Sequence, residues 1–266
     1  MRVNVEDVIK VVKDAALILT KEYDSNESEM DITIKASNRD VATKYDLEVQ
    51  RKLIEELGKI YPYISVIGEE DTKDSGVVDE SKSLEEFFLI DPVDGTTNLV
   101  HDFRHSSISV AYVKGGEIQI GVVMNPYNNE VFHAVKGKGA YLNNKRVQVS
   151  EHSLRDSLVL FGTSPSTNDT HDKTFDLLKE VFLNTKDIRR TGSAALDLCY
   201  IASGRADFFF ELILHPWDYA AGIIIIKEAG GLISDFNGTD LPLDKASNVV
   251  AGNPLSYNDG IKLLNR

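Results

Sequence analysis

The chain has 266 residues, 27% of them charged and 42% hydrophobic, which fits one large or two closely fused globular units able to bury a sizeable core. Its formal net charge of −13 argues against nucleic acid or an anionic membrane as a default partner. The longest apolar run, 220–226, is too short to span a bilayer, and residues 1–21 carry charges too often for a signal peptide. The single cysteine, Cys199, cannot form an intramolecular disulfide, so a reducing, cytoplasmic setting is expected, with Cys199 a core residue.

Apolar residues at helical spacing, from Val5 through Val8, Val12 and Leu19, predict an amphipathic helix over 5–23. An acidic loop over 24–31, a strand over 32–35 and a turn to Arg39 follow. A second helix is expected over 43–61, with Leu47, Val49, Leu53, Ile54 and Leu57 as its apolar stripe and Pro62 as its stop. A short strand over 64–67 runs into Gly68-Glu69-Glu70-Asp71, and the polar residues 72–83 read as a surface loop. The aromatic and branched run 87–90 predicts a buried strand. Asp91 leaves it, and Pro92, lacking an N–H, is expected to end the pairing. Asp94-Gly95-Thr96-Thr97 then reads as a turn into a helix with free N–H groups at its start.

Strand-like runs at 107–113, 118–125 and 130–135, separated by Gly115-Gly116 and Asn128-Asn129, predict antiparallel hairpins. Gly137-Lys138-Gly139 and Asn143-Asn144 add tight turns. Past residue 158 the pattern changes: strands over 158–161, 188–190 and 206–210 alternate with helices over 171–183 and 193–203. Pro216 opens a further helix that Gly230-Gly231 closes, and a last helix covers 255–264. A soft boundary at 150–156 divides an N-terminal α+β half, residues 1–150, from a C-terminal α/β half, residues 151–266, within one compact unit.

Three acidic clusters fall at element ends: Glu69 and Glu70, Asp91 and Asp94, and Asp218. Carboxylates placed where strands end can meet at one crevice. Oxygen ligands without a His or Cys cluster suit Mg²⁺, which joins one or two carboxylates to a substrate phosphate. Phosphate ester hydrolysis is the natural chemistry of that combination. Plainer readings stand beside it. Asp91 and Asp94 fit an acidic capping turn, Asp71 fits a solvated turn charge, and Asp218 fits a dipole-complementing charge worth under about 1 kcal/mol. The histidines lack ligand spacing, with His215 set apart by its place beside Trp217 and Asp218.

Together these residues resemble the inositol monophosphatase family of Mg²⁺-dependent, lithium-sensitive phosphatases. The resemblance lies in Gly68-Glu69-Glu70, in Asp91-Pro92-Val93-Asp94-Gly95-Thr96-Thr97-Asn98, and in Trp217-Asp218-Tyr219-Ala220-Ala221-Gly222 running on to Glu228-Ala229-Gly230-Gly231. The motifs stand in the family's order over nearly the whole chain, and Lys136-Gly137-Lys138-Gly139-Ala140 is similar to the family's mid-chain segment.

The resemblance implies a layered αβαβα sandwich, a homodimer, and two or three Mg²⁺ per subunit, with most ligands in the N-terminal half. Glu69, Asp91 and the carbonyl of Val93 are implied ligands of a first ion, and Asp91, Asp94 and Asp218 of a second. Glu69 is implied to reach a weaker third through water. Substrate phosphate is implied to rest on the N–H groups of Gly95 and Thr96, with Thr96, oriented by Asp46, and Glu69 helping to activate the attacking water. Gly192, Ser193, Ala194 and Glu211 match positions that contact the alcohol, together with Asp94 and Asp218, and the stretch from Lys35 to Asp40 matches a mobile lid. The implied substrate is a small phosphorylated polyol, sugar or nucleotide. Relatives act on fructose 1,6-bisphosphate, NADP or 3′-phosphoadenosine 5′-phosphate, but Gly95-Thr96-Thr97-Asn98 lacks the Gly-Thr-Lys of the nucleotidase branch and favours myo-inositol monophosphate. A non-catalytic phosphate-binding regulator on the same fold is the alternative from another class.

Overall fold

The computed structural model describes residues 2–21, 32–34, 41–71, 85–164 and 170–266. The N-terminal part runs α1 (Val5–Lys21), β1 (Ile32–Ile34), β2 (Val41–Thr43), α2 (Lys44–Ile60), β3 (Ser65–Gly68), β4 (Glu86–Asp94) and α3 (Thr96–Val100). A meander follows: β5 (Ser107–Lys114), β6 (Glu117–Asn125), β7 (Glu130–Val135), β8 (Ala140–Leu142) and β9 (Lys145–Val147). Then come β10 (Leu158–Phe161), α4 (His171–Asn184), β11 (Asp187–Arg189), α5 (Ala194–Ala202), β12 (Phe208–Leu214) and α6 (Pro216–Glu228). The chain closes with β13 (Leu232–Ser234), β14 (Ser247–Gly252) and α7 (Pro254–Leu264).

Strands β3 to β9 form a seven-stranded sheet in chain order, parallel between β3 and β4 and antiparallel elsewhere. A five-stranded sheet has the order β11-β10-β12-β14-β13, with β10 parallel to both its neighbours. Because strand side chains alternate between faces, each sheet buries two rows. On β5, Ile108, Val110 and Tyr112 pack with Val8 and Val12 of α1 and Leu53 of α2. Ala111 and Val113 face the opposite way, into a core with Leu198 of α5 and Ile224 of α6. The second sheet repeats this: Phe209, Val249 and Ala251 join α5 and α6, while Phe208, Phe210 and Val250 join Val181 of α4 and Leu263 of α7. The layers are therefore α, β, α, β, α, the expected sandwich. Apolar on all sides, α6 lies between two sheets, which accounts for the longest apolar run in the chain.

Several sequence expectations change in detail. Pairing of β4 does not stop at Pro92: Asp91 pairs with Ser109 and Asp94 with Ser107, with a bulge between. Proline is tolerated in a bulge because no ladder bond is asked of it there. Leu47 and Ile54 were expected on the buried stripe of α2, but they are 58% and 36% exposed, and only Val49, Leu53 and Leu57 of that stripe are buried. Thr43 instead caps α2, in a capping box with Asp46. Strand β12 extends beyond residue 210 to Leu214 and so carries Glu211. The short strands β8, β9, β13 and β14 were not expected. The stretch from Lys35 to Asp40 and the loops expected over 24–31 and 72–83 lie outside the described residues. Cys199 is wholly buried, and no helix among the described residues is long and apolar enough to cross a membrane.

Candidate active site

The bulge in β4 sets the corner from which the site is built. Asp91 is buried, and its Oδ1 accepts the Val93 N–H at 3.0 Å. Gly95 turns the chain into α3 at φ +94°, and a Cβ there would stand 2.9 Å from the carbonyl oxygen of Gly192, so only glycine fits. Asn98 fastens the same junction by donating to the carbonyls of His105 at 2.7 Å and Thr191 at 2.9 Å. Asp94 points at the start of α5. Its Oδ2 accepts from Ser193 Oγ at 2.5 Å, the Ala195 N–H at 2.8 Å and Ser107 Oγ at 3.3 Å, and its Oδ1 accepts the Ala194 N–H at 3.2 Å.

Behind this corner, Asp46 is buried at the start of α2. Its Oδ2 accepts the N–H and hydroxyl of Thr43 at 2.8 and 2.6 Å, and its Oδ1 accepts Thr96 Oγ1 at 2.9 Å. Thr96 Oγ1 also lies 3.1 Å from the carbonyl of Val93. With its proton held by Asp46, the Thr96 oxygen keeps its lone pairs for another donor. Glu69 opens a single 3₁₀ turn after β3, and the buried Gln50 accepts the next N–H, that of Glu70, at 3.1 Å. Asp218 lies in the first turn of α6, where its Oδ2 accepts the His215 N–H at 2.7 Å and the His215 ring stacks on Trp217 at 4.8 Å. Glu211 accepts the Ser164 N–H at 2.9 Å and hydroxyl at 3.2 Å. Gly162 leaves space for that carboxylate, since a Cβ would stand 1.8 Å from its Oε2.

These elements enclose a cavity of about 200 Å³. Of the residues singled out in the sequence, Glu69, Asp91, Val93, Asp94, Gly95, Thr96, Gly192, Ser193, Ala194, Glu211 and Asp218 line it, and Asp46 reaches it through Thr96. Lys35 and Asp40 are outside the described residues. Among the lining residues that sequence reasoning missed are Asp197, Arg190 and Thr163, and it also missed Gln50 and Ser107 behind the wall. Asp197 had one signal, an acid in the first turn of α5, and it takes the hydroxyl of Thr191 at 2.6 Å. Arg190 is the one basic side chain among the described lining residues, and its Nε donates to Thr163 Oγ1 at 3.1 Å.

Burial, with like charges close by, shifts the protonation of six carboxyls here. Burial, then the charges of Glu69, Asp94 and Asp218, hold the Asp91 carboxyl well above the usual carboxylate range. Burial, then Asp94 and Glu69, do the same to Asp218. Asp94 and Asp46 are raised by burial despite their hydrogen bonds. Burial pushes Glu211 up to about 7 and Asp197 well above its ordinary value. Among the described residues no three His, Cys, Asp or Glu side chains form a group that could hold a metal ion by themselves. Mg²⁺ asks for less, since it keeps several waters and takes one or two carboxylates with a substrate phosphate. The donor set is hard oxygen throughout, and a divalent cation among Glu69, Asp91, Asp94 and Asp218 would relieve the like-charge repulsion that adds to burial in raising Asp91 and Asp218. The residues fit Mg²⁺.

An αβαβα sandwich with carboxylates brought from a strand bulge, a strand end and a helix start into one cavity is an arrangement of the sugar-phosphatase type. The chain belongs to the inositol monophosphatase family, whose model matches residues 3–265, and that family is one of Mg²⁺-dependent phosphatases. It is 37% identical over 231 residues to a Thermotoga maritima fructose-1,6-bisphosphatase/inositol-1-monophosphatase, covering 87% of this chain and 85% of that protein. It is 36% identical over 247 residues to the Nus factor SuhB of Escherichia coli, covering 92% and 90%. The solved structure of the extragenic suppressor protein SuhB from Bartonella henselae superimposes with a TM-score of 0.89 at 31% identity, covering 98% of both chains. Because relatives are named as a Nus factor, the exclusion of nucleic acid drawn from net charge is not carried forward.

Proposed function

We propose that this phosphatase hydrolyses myo-inositol monophosphate to inositol and phosphate. The observation that carries the reading is the hydrogen bond from Thr96 to Asp46 set beside four carboxylates crowded in one cavity. Glu69, Asp91 and the Val93 carbonyl would hold one Mg²⁺; Asp91, Asp94 and Asp218 a second; and Glu69, through water, a weaker third. Bound Mg²⁺ supplies Lewis-acid polarisation and neutralises charge on the phosphate and the leaving oxygen.

The chain's own groups do the rest. Thr96 Oγ1, its proton committed to Asp46, accepts a hydrogen bond from the attacking water and so aims it, with Glu69 drawing on the same water. The N–H groups of Gly95 and Thr96 hold phosphate oxygens. On the alcohol side, Asp94, Asp218, Glu211 and the Gly192-Ser193-Ala194 turn receive the polyol hydroxyls. Residues 1–150 and 151–266 work as one unit in this scheme, since the second half supplies Asp218 and the polyol contacts. A homodimer and inhibition by Li⁺ belong to the same proposal; sedimentation as a monomer at micromolar concentration, or turnover indifferent to Li⁺, would remove them.

The name of the Thermotoga relative supports fructose 1,6-bisphosphate as a second substrate reading, and the Nus factor name of others supports a role besides turnover. A panel of inositol phosphate, fructose bisphosphate, NADP and phosphoadenosine phosphate at saturating Mg²⁺ separates them. Preferred turnover of inositol phosphate is expected; comparable turnover of two panel members would sink the specific assignment. Tight binding without turnover would favour the regulator.

A further inference from the structure

Along the face that β5 turns toward α5 and α6, the residues run Val113, Ala111, Ser109, Ser107 toward the site. Val113 and Ala111 are core. Both serines are equally buried, at 1% and 0% exposed, yet they carry hydroxyls, and a buried hydroxyl without a partner is costly. Ser109 Oγ donates to the carbonyl of Trp217 at 3.3 Å, in the first turn of α6. Ser107 stands opposite Asp94 across the bulge, with its Oγ 3.3 Å from Asp94 Oδ2 and 3.2 Å from Ser193 Oγ.

A proton count separates the two oxygens of Asp94. Ser193 Oγ–H is spent on Oδ2, and its oxygen receives the Leu196 N–H at 3.4 Å. Ser107 can therefore give its single proton to Oδ2 or to the Ser193 oxygen, and either route ends in the same hydroxyl–carboxylate group. Oδ2 is crowded with donors. Among the described residues, Oδ1 meets one N–H only, at 3.2 Å.

We propose that Ser107 is a positioning residue: with Ser193 it commits Oδ2 of Asp94 to the start of α5 and leaves Oδ1 as the single oxygen Asp94 presents to a divalent cation or a substrate hydroxyl. The proposal rests on the ligand role given to Asp94 above. Without the Ser107 hydroxyl, the carboxylate is less restrained in rotation about its terminal bond and meets the cation less well oriented.

Mn²⁺ binding to the full chain without substrate, followed by titration calorimetry, tests this apart from turnover. Ser107→Ala is expected to weaken binding about 10-fold, the low end of the cost of losing a carboxylate's outer partner. Its melting temperature is expected to match wild type. Combined with Asp94→Asn, it should add nothing to the loss that Asp94→Asn causes alone, because Ser107 acts through that carboxylate. If Ser107→Ala fails to fold, Ser107→Cys, which fills the space with a weak donor, carries the same expectation. Wild-type affinity in the Ser107 variant, or additive losses in the double variant, with Asp94→Asn still impaired, would overturn the role of Ser107 alone. Unchanged affinity in Asp94→Asn would overturn the ligand reading of Asp94, and this proposal with it.

Discussion

Carboxylates stand on both sides of the cavity, but the two sides hold them differently. On the side built from β3, β4 and the start of α6, Asp91 and Asp218 are raised by burial and then by the like charges around them. On the side built from β12 and α5, Glu211 and Asp197 are also raised by burial and feel the charge of Asp94, but each has its own donor, Ser164 or Thr191, and Arg190 offsets part of the rise in both. Crowding of the first kind is relieved by a cation, and burial with a fixed donor, as on the second side, by a proton or a hydroxyl. On the proposed function, the first side takes up the metal and the second meets an uncharged, hydroxyl-rich ligand.

Four experiments sharpen or break that contrast. Asp91→Asn is expected to lower kcat/KM at saturating Mg²⁺ by at least about 10³-fold, since a lost metal ligand costs several kcal/mol of transition-state stabilisation. The same variant should melt higher than wild type in EDTA, because it removes a buried like charge. Activity above a tenth of wild type, or a lower melting point, would show that crowding at Asp91 is not a metal site's signature.

Glu211→Gln tests the other side through pH. The folded Glu211 titrates at about 7 against an ordinary 4.5, so its contribution to stability is fully present below about 4.5 and is lost as pH rises through 7. Wild type should therefore lose up to about 3 kcal/mol relative to Glu211→Gln between those pH values. Denaturant unfolding at intervals from pH 4 to pH 8 measures the gap, and parallel curves would refute it. Thr96→Ala should reduce kcat by about 10²-fold with Thr96→Ser retaining most activity, as expected of a group that aims the attacking water. Equal kcat in Thr96→Ala and wild type would mean the hydroxyl is structural. The smallest effect is thermodynamic: Mg²⁺ at ten times its Kd should stabilise wild type by about 1.4 kcal/mol and Asp91→Asn by less. Calorimetric melting with and without Mg²⁺ reads this directly, and equal shifts in both proteins would argue against a cation on the crowded side.

Much of the site was legible because its residues sit where local chemistry is strong. Carboxylates at the ends of β3 and β4 and at the start of α6 interrupt apolar runs, and such interruptions show without coordinates. Asp46, and its pairing with Thr96, were reached only through the family resemblance, since nothing between residues 46 and 96 in sequence says that they touch. Gln50 and Ser107 gave no sign at all. One is a polar residue on an amphipathic helix, the other the first residue of an apolar strand, and each matters only because another element comes to rest against it. Leu47 and Ile54 mislead in the opposite sense, fitting a helical stripe whose width the packing of α1 and β4, not the period, decides. The short strands β13 and β14 were missed because β14 gains its place from β12, which lies beside it in space but not in sequence.

The amino-acid sequence by itself determined the alternation of helices and strands, the apolar α6 and the three acidic element ends, because periodicity, turn chemistry and chain breaks are local. The tertiary structure alone decided that those ends share one cavity, that Asp94 turns to the start of α5, and that one side crowds its charges while the other gives each carboxylate its own donor. Burial and charge repulsion act through space, and only the packed layers set those distances.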